Sequence, residues 1–342
     1  MAKSSPNARA RWRTIFVAIL TLGLLWLFFQ KLDLRETWLH ITEARPGFIV
    51  GAVAVTFVTY LLRACRWQAI LRPIGHARLR TAFRTTVIGF TASYLLPARV
   101  GEVLKPYLLA RQEGFKPPAT FATVVVERVL DMVTVLLLFA CSIPFAGIAV
   151  GSQVEMAGIL AAVGSVAVMA ILFVCAGHPE RVGRWIERWS RWLPARVAQT
   201  AGRLAHVFAE GLAVMRKPSQ LLLAAIWSVP LWVSIAFGIW LTSQAFDLTF
   251  PFAGSFLVVM CLVVGVSLPT PGGAGGFHYM YEVALTQFFG ANQNAAAACA
   301  LVLYAVSFVP VTLMGLLFMS QDGLTLGGLK NLRETAQAAE VP

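Results

Sequence analysis

The sequence predicts an all-α integral membrane protein, a polytopic helix bundle with six full spans and two broken re-entrant hairpins. Hydrophobic residues make up 58% of the 342 residues and charged residues only 13%, and the mean hydropathy is +0.72. Six apolar runs have roughly the length that crosses a bilayer, at residues 14–29, 48–62, 120–143, 156–176, 221–246 and 294–319. Two further apolar stretches, 81–109 and 253–289, are each interrupted in the middle by proline and glycine.

These runs also predict the domain organisation. We expect one transmembrane domain over residues 1–342. Its first half, about 1–176, contains the hairpin 81–109, and its second half, about 218–320, contains the hairpin 253–289. A linker, 177–217, joins the halves, and a short tail, 321–342, follows.

The basic residues orient the chain, because cytoplasmic loops of membrane proteins are rich in lysine and arginine. The linker holds eight Arg or Lys against three Glu, whereas the stretches around Gln153 and Asp247 hold no Arg or Lys. Both termini and the linker should therefore be cytoplasmic, in a bacterial inner membrane, with Gln153 and Asp247 outside. We interpret the net charge of +12 as a topology signal and expect no nucleic-acid partner.

The linker itself contains a candidate interfacial helix. Trp185, Trp189 and Trp192 recur at helical spacing with arginines between them, and Pro194 ends the run. Such a pattern is typical of an amphipathic helix lying at the membrane surface. We expect it to act as a connector between the halves.

The two interrupted stretches are expected to enter the membrane from opposite sides. Irregular backbone is tolerated at membrane depth only where protein or a polar cavity satisfies it, as at the binding sites of transporters. The short match of residues 96–101 to residues 268–273, each beginning with Leu-Pro, favours an inverted repeat whose hairpin tips meet near the midplane. Eight ordinary spans with proline kinks are the alternative. The expected hairpin backbone residues are Pro97, Gly101, Pro269, Pro271, Gly272, Gly273 and Gly275.

Charged residues inside the apolar runs are the candidates for function, because each is costly there unless paired or hydrated. Glu127 and Asp131 are four residues apart and Arg128 lies three before Asp131, so all three can face one cavity. Arg99, Glu102 and Lys105 follow Pro97, and Glu102 is three residues from each of the two basic residues. Arg99 and Lys105 could then meet an anion. Internal ion pairs that join helices are the alternative for both groups.

His278 and Glu282 follow the second glycine cluster at helical spacing and could bind a proton or a polar head group. A structural role is the alternative for the single histidine. The five cysteines show neither disulfide nor zinc spacing. We predict no metal, no cofactor and no catalytic residue. The candidate substrate-binding residues are Arg66, Arg99, Glu102, Lys105, Glu127, Arg128, Asp131, His278 and Glu282.

Four motifs occur in order along nearly the whole chain. They are Arg63-Ala-Cys-Arg66-Trp67, Leu96-Pro-Ala-Arg-Val-Gly-Glu102, Glu127-Arg128-Val-Leu-Asp131 and Pro269-Thr-Pro-Gly-Gly-Ala-Gly275. With these motifs the chain resembles the lysylphosphatidylglycerol synthase transmembrane-region family of flippase-like proteins. His278 departs from the family, many of whose members have glutamate after the glycine cluster.

The resemblance implies translocation of a membrane lipid. The expected substrate is a phosphate-bearing lipid, either a phospholipid or a polyprenyl-phosphate-linked one, and lipid-biosynthesis enzymes are candidate partners. The chain ends soon after the last apolar run, so we expect no soluble aminoacyl-transferase domain and no synthesis of lysyl-lipid. An intramembrane enzyme acting on lipid phosphate or glycosyl carriers is one alternative, and a scaffold for a lipid-modifying complex is another. The oligomeric state is left open.

Overall fold

The computed structural model of the chain describes residues 6–30, 32–96, 99–147 and 217–324, with a few isolated positions between 156 and 188. Every regular element in these residues is helical, which confirms the all-α prediction. Ten α-helices are described, namely α1 (Pro6–Phe29), α2 (Leu34–Glu43), α3 (Pro46–Leu71), α4 (Leu79–Leu95), α5 (Val100–Glu113), α6 (Pro117–Ser142), α7 (Pro218–Ala245), α8 (Gly254–Ser267), α9 (Gly276–Phe289) and α10 (Gln293–Gln321). Short 3₁₀ turns occupy Ile143–Phe145 and Pro271–Gly273.

Helix starts follow local sequence rules. Helices α3, α6 and α7 each begin at a proline, whose fixed φ suits the first helical position. Asn292 caps α10 by accepting hydrogen bonds from the backbone N–H groups of Asn294 and Ala295. Asp33 caps α2 in the same manner.

Helices α3, α7 and α10 are long and apolar enough to cross a bilayer. Helices α1 and α2, bent by 81° relative to each other, add a fourth span if they are counted together. Helix α6 covers most of the predicted run 120–143, but Glu127, Arg128 and Asp131 interrupt its apolar length. The described residues thus support three or four spans, and the count of six stays a prediction.

Several predicted features lie outside the described residues. They are the run 156–176 for the most part, Pro97, the external position Gln153, and the tryptophans Trp185, Trp189 and Trp192 of the linker.

Helices α3 and α7 lie side by side in opposite directions. Arg45, before α3, pairs with Asp247, after α7, with 2.7 Å between Nη2 and Oδ1. At the other end, Arg72 and Lys217 line one cavity of about 310 Å³. These two features mark opposite ends of the bundle, with a neutral ion pair at one end and two basic side chains at the other.

One end of the bundle is strongly basic. Arg78 pairs there with Glu113 (3.3 Å) and Arg84 with Asp322 (2.6 Å). We call it the basic end, and its basic residues include Arg72, Arg78, Arg80, Arg84, Arg111, Lys116 and Lys217. At the opposite, acidic end, Asn294 bonds the backbone N–H of Asp33 and the carboxylate of Glu36. The topology predicted from the charge pattern stays a prediction.

The interrupted stretches fold as two helix pairs. Helices α4 and α5 form the first hairpin, which starts and finishes at the basic end. Helices α8 and α9 form the second hairpin, which starts at the acidic end just after Asp247. The tips meet, because the Arg99 guanidinium donates a hydrogen bond to the backbone carbonyl of Val266. This arrangement is compatible with an inverted repeat, which remains a prediction.

Candidate functional site

Four charged side chains form a buried network next to the first hairpin. Arg66 of α3 reaches Asp131 Oδ1 with Nη1 at 2.5 Å and Glu127 Oε1 with Nη2 at 3.4 Å. Lys105 of α5 reaches the other oxygen of Glu127 at 2.6 Å. All four residues are buried, and their two positive and two negative formal charges cancel. Such charges are tolerated without water because each has a close partner of opposite sign.

The network is completed by a neutral donor, a neutral acceptor and an aromatic ring. The indole N–H of Trp232 on α7 donates to Asp131 Oδ1 at 3.0 Å, and Arg66 Nη1 donates to Ser228 Oγ at 3.3 Å. The ammonium of Lys105 lies 4.0 Å from the centroid of the Trp67 ring, a cation–π contact. These contacts connect α3, α5, α6 and α7. The network therefore stabilises the packing of these helices as well as being a candidate site.

A second charged group, more open to solvent, lies beside the network. The side chains of Arg99, Glu102 and Arg128 are 43%, 41% and 49% exposed. Glu102 Oε1 is 3.8 Å from Arg99 Nη1 and 3.9 Å from Arg128 Nη2. Arg128 Nη1 is also 3.7 Å from Asp131 Oδ2. These separations exceed the 2.7–2.9 Å of a close charge-assisted hydrogen bond, so neither arginine makes a close ion pair.

Arg99 has an unusual backbone conformation that places it at the hairpin tip. Its φ of 50° lies in the left-handed region, where a residue other than glycine is uncommon. It immediately precedes α5, and its side chain donates to the carbonyl of Val266 in the last turn of α8. That carbonyl is one of the terminal groups that a helix leaves without an internal partner. Arg99 of the first hairpin thus provides a hydrogen-bond donor for a terminal carbonyl of the second.

A cleft of about 130 Å³ opens between the two tips. The first hairpin and α6 contribute Arg99, Glu102, Lys105 and Arg128, and the second hairpin contributes Thr270, Gly272 and Gly273. Since a water molecule occupies roughly 30 Å³ in the liquid, the cleft suits a small polar group and not a whole lipid. Thr270 is 7% exposed, and its hydroxyl has no hydrogen-bond partner in the described chain.

In both hairpins the two helices pack backbone against backbone at a pair of glycines. A Cβ on Gly101 would lie 1.6 Å from the carbonyl oxygen of Gly89, and a Cβ on Gly276 would lie 2.4 Å from that of Gly265. Only Gly101 of these four was identified from the sequence. Gly89 and Gly265 stand alone in apolar helices, a pattern that gives little local signal, although small residues are common where membrane helices touch.

The second tip depends on glycines for its turn. Gly272, Gly273 and Gly275 have φ values of 58°, 73° and 82°, which glycine adopts without steric cost. A Cβ on Gly272 would also lie 2.6 Å from the hydroxyl of Tyr304. Pro271 begins the 3₁₀ turn, and Pro269 follows Leu268, which is extended as a residue before proline usually is.

His278 and Glu282 lie apart from the cleft. The Nδ1 atom of His278 accepts the backbone N–H of Gly275 at 3.3 Å, and its ring packs 4.6 Å from that of Tyr304 and 5.4 Å from that of Phe28. Glu282 accepts a hydrogen bond from Gln293 Nε2 at 2.7 Å. Neither residue is among those that line the cleft. The observed contacts of His278 match the structural alternative for this residue.

Comparison with known proteins identifies the family. The model described as the lysylphosphatidylglycerol synthase TM region matches residues 14–315, so the chain belongs to this family of membrane proteins. A UPF0104 membrane protein of Methanothermobacter thermautotrophicus is 23% identical over 292 residues, covering 80% of this chain and 85% of the relative.

Two shorter matches accompany it. Glycosyltransferase AglD of Haloferax volcanii is 29% identical over 123 residues, which are 35% of this chain but only 19% of AglD. A UPF0104 membrane protein of Methanocaldococcus jannaschii is 27% identical over 94 residues, which are 27% of this chain and 28% of the relative.

Proposed function

We propose that this member of the family moves a phosphate-bearing lipid between the leaflets of its membrane and catalyses no bond chemistry. The observation that carries the proposal is the cleft between the hairpin tips, where Arg99 and Arg128 are half-exposed and share one carboxylate, Glu102. The head group binds in this cleft, and the hydrocarbon chains stay in the surrounding lipid.

The preference for an anion follows from how the charges are paired. Arg66 and Lys105 are paired with Asp131 and Glu127 at short distances. Arg99 and Arg128 make only long contacts to carboxylates, and Arg99 also donates a hydrogen bond to the neutral carbonyl of Val266. A phosphate oxygen would offer both arginines the bidentate geometry that the guanidinium group favours. The unpartnered hydroxyl of Thr270 supplies a further donor from the opposite tip. The inner network thus holds the structure and the outer group binds the lipid.

The two hairpins also suggest how access alternates. They start from opposite ends of the bundle, and the described link between their tips includes the hydrogen bond from Arg99 to Val266. In transporters built from such elements, one element rocks against another around a fixed site. An anion that engages Arg99 competes with this link, so binding and separation of the tips are coupled. We place the basic end in the cytoplasm by the distribution of Arg and Lys.

Reconstituted vesicles provide the direct test. The double variant Arg99→Ala with Arg128→Ala should move a fluorescent phospholipid at least about tenfold more slowly than the unmodified protein, because two charge-assisted contacts are lost. Arg78→Ala is the matched control, since Arg78 is an exposed arginine that pairs with Glu113 away from the cleft. Equal rates for the double variant and the unmodified protein, at equal membrane yield, would refute the proposal.

An enzyme acting on a glycosyl carrier is the second candidate. It is favoured by the name of the relative AglD, a glycosyltransferase, although the match covers 19% of that protein. Incubation of the purified protein with lipid phosphate or a lipid-linked sugar distinguishes the candidates. Release of phosphate or exchange of the head group would favour the enzyme, and lipid movement without such turnover would favour the transporter.

A further inference from the structure

Arg63 is a partly buried cation beside the cleft. It lies one helical turn before Arg66 on α3, and its guanidinium stands 4.9 Å from the centroid of the Phe90 ring and 5.9 Å from that of Tyr60. Its Nε atom is shielded from solvent and has no hydrogen-bond partner among the residues that the structure describes. Phe90 itself is part of the cleft wall, so Arg63 contacts a residue of the wall without lining the cleft itself.

The pairing of Arg63 differs from that of its basic neighbours. Arg66, Lys105, Arg99 and Arg128 each have a carboxylate within 4.0 Å, whereas no described carboxylate is that close to Arg63. Arg84 provides a useful contrast. It also lies over a phenylalanine ring, Phe318 at 4.8 Å, but it pairs with Asp322 at 2.6 Å.

The charge of the whole group follows from this observation. Five basic residues and three acidic residues gather around the cleft, which leaves two positive charges uncompensated within the described chain. The eight residues are Arg63, Arg66, Arg99, Lys105, Arg128, Glu102, Glu127 and Asp131. Uncompensated cations inside a membrane protein favour an anion of matching charge.

We infer that the cleft binds a lipid-attached phosphate that carries two negative charges, a phosphate monoester or a diphosphate, and that Arg63 discriminates against a phosphodiester. The inference rests on the proposed function and specifies its substrate class. A phosphodiester carries one negative charge, whereas a phosphate monoester carries about 1.5 to 2 at pH 7 because its second pKa is about 6. Arg63 acts through Phe90 and the cleft wall, as a specificity-determining residue and not as a direct ligand.

Binding of short-chain lipids in detergent tests the inference without a transport assay. Phosphatidic acid, a monoester, should bind the unmodified protein about tenfold more tightly at pH 8 than phosphatidylglycerol, a diester, as expected for one additional buried charge contact. In Arg63→Gln this preference should fall to about twofold or less. Arg84→Gln, the matched control, should keep the preference.

The unmodified protein supplies a second measurement in case a variant folds poorly. Between pH 8 and pH 5 the monoester loses its second charge and the diester keeps its single charge, so the preference for phosphatidic acid should largely disappear on acidification. Inorganic phosphate separates the lipid from a soluble anion, since it should bind much more weakly than phosphatidic acid at pH 8.

The outcomes separate the two hypotheses. Equal binding of the two lipids at pH 8, or an unchanged preference in Arg63→Gln, would overturn the charge inference while lipid binding stands. Inorganic phosphate that binds as tightly as phosphatidic acid would overturn the lipid assignment. Binding of neither lipid, together with no lipid movement in vesicles, would remove the proposed function and the inference with it.

Discussion

The first and second hairpins are closed by the same contact but present different chemistry at their tips. Each brings a glycine of its first helix against a glycine of its second, Gly89 with Gly101 and Gly265 with Gly276. The first hairpin then adds Arg99, Glu102 and Lys105, whereas the second adds a glycine-rich turn and the hydroxyl of Thr270.

The difference separates two roles. Close helix packing is a backbone requirement that both hairpins share, and the proposed recognition of an anion is a side-chain requirement placed mainly on the first. The second hairpin provides space, a carbonyl group for Arg99 and one donor. Some mutations should therefore disturb the glycine packing that both hairpins share, and others should affect only the side chains that one hairpin presents.

The largest effect is expected for alanine at the glycine contacts. Gly101→Ala and Gly276→Ala should each cost at least about 3 kcal/mol of stability, because the new Cβ meets a carbonyl oxygen of the backbone, which cannot rotate away. Gly47→Ala, with nothing within 4 Å of the new Cβ, should be neutral or slightly stabilising. Thermal unfolding in detergent measures all three. Sensitivity at only one hairpin would show that the two are not equivalent.

The buried lysine and the histidine provide the next contrast. Lys105→Met should cost about 3 kcal/mol, the lower end of the range for breaking a buried ion pair, because the buried Glu127 keeps the longer 3.4 Å contact to Arg66. His278→Phe on the second hairpin should cost only about 1 kcal/mol, since it loses one 3.3 Å hydrogen bond and keeps the ring packing. Chemical denaturation would compare them, and equal losses would contradict the division of roles.

A smaller, functional effect is expected at the first tip. Arg99→Ala should slow lipid movement about tenfold, and Arg99→Lys should restore it only in part, because lysine keeps the charge and loses the planar fork. Stability should change little, since the Arg99 side chain is 43% exposed. Vesicle assays at matched protein yield give the rates. Full activity of the lysine variant would mean that charge alone is recognised.

The smallest effect is expected at the second tip. Thr270→Val keeps the shape of a buried side chain and removes a hydroxyl that has no partner in the described protein. Lipid movement should fall about two- to threefold, the effect of one neutral hydrogen bond, with unchanged or slightly increased stability. A loss as large as that of Arg99→Ala would mean that the second hairpin contributes as much as the first to binding of the head group.

The sequence predicts the helices and the grouping of the charges better than it predicts the exposure of each charge. Spacing alone puts Glu127, Arg128 and Asp131 near one cavity, but the structure buries the two carboxylates and turns Arg128 outward to 49% exposure. Arg63 and Arg66 share one face of α3, and only the positions of α6 and Phe90 decide which of them is paired. Such choices depend on tertiary neighbours that local spacing does not specify.

Helix α2 was not predicted for a related reason. Leu34–Glu43 is too short and too polar to resemble a span, and its apolar residues Leu34, Trp38 and Leu39 are exposed. Hydropathy over a long window therefore misses it. Gly89, Gly265 and Gly276 were missed because close packing is a property of helix pairs, which a single apolar run does not specify.

The lengths of the hairpin helices bear on the membrane voltage. Helix α4 has 17 residues and α5, α8 and α9 have 14 each, so they extend only about 21–25 Å at 1.5 Å per residue. Each is shorter than the hydrocarbon core of about 30 Å, and the tips of the two hairpins contact each other through Arg99 and Val266. In the proposed transport a charged head group passes this contact and crosses the membrane potential, which amounts to about 2.3 kcal/mol per charge for each 100 mV.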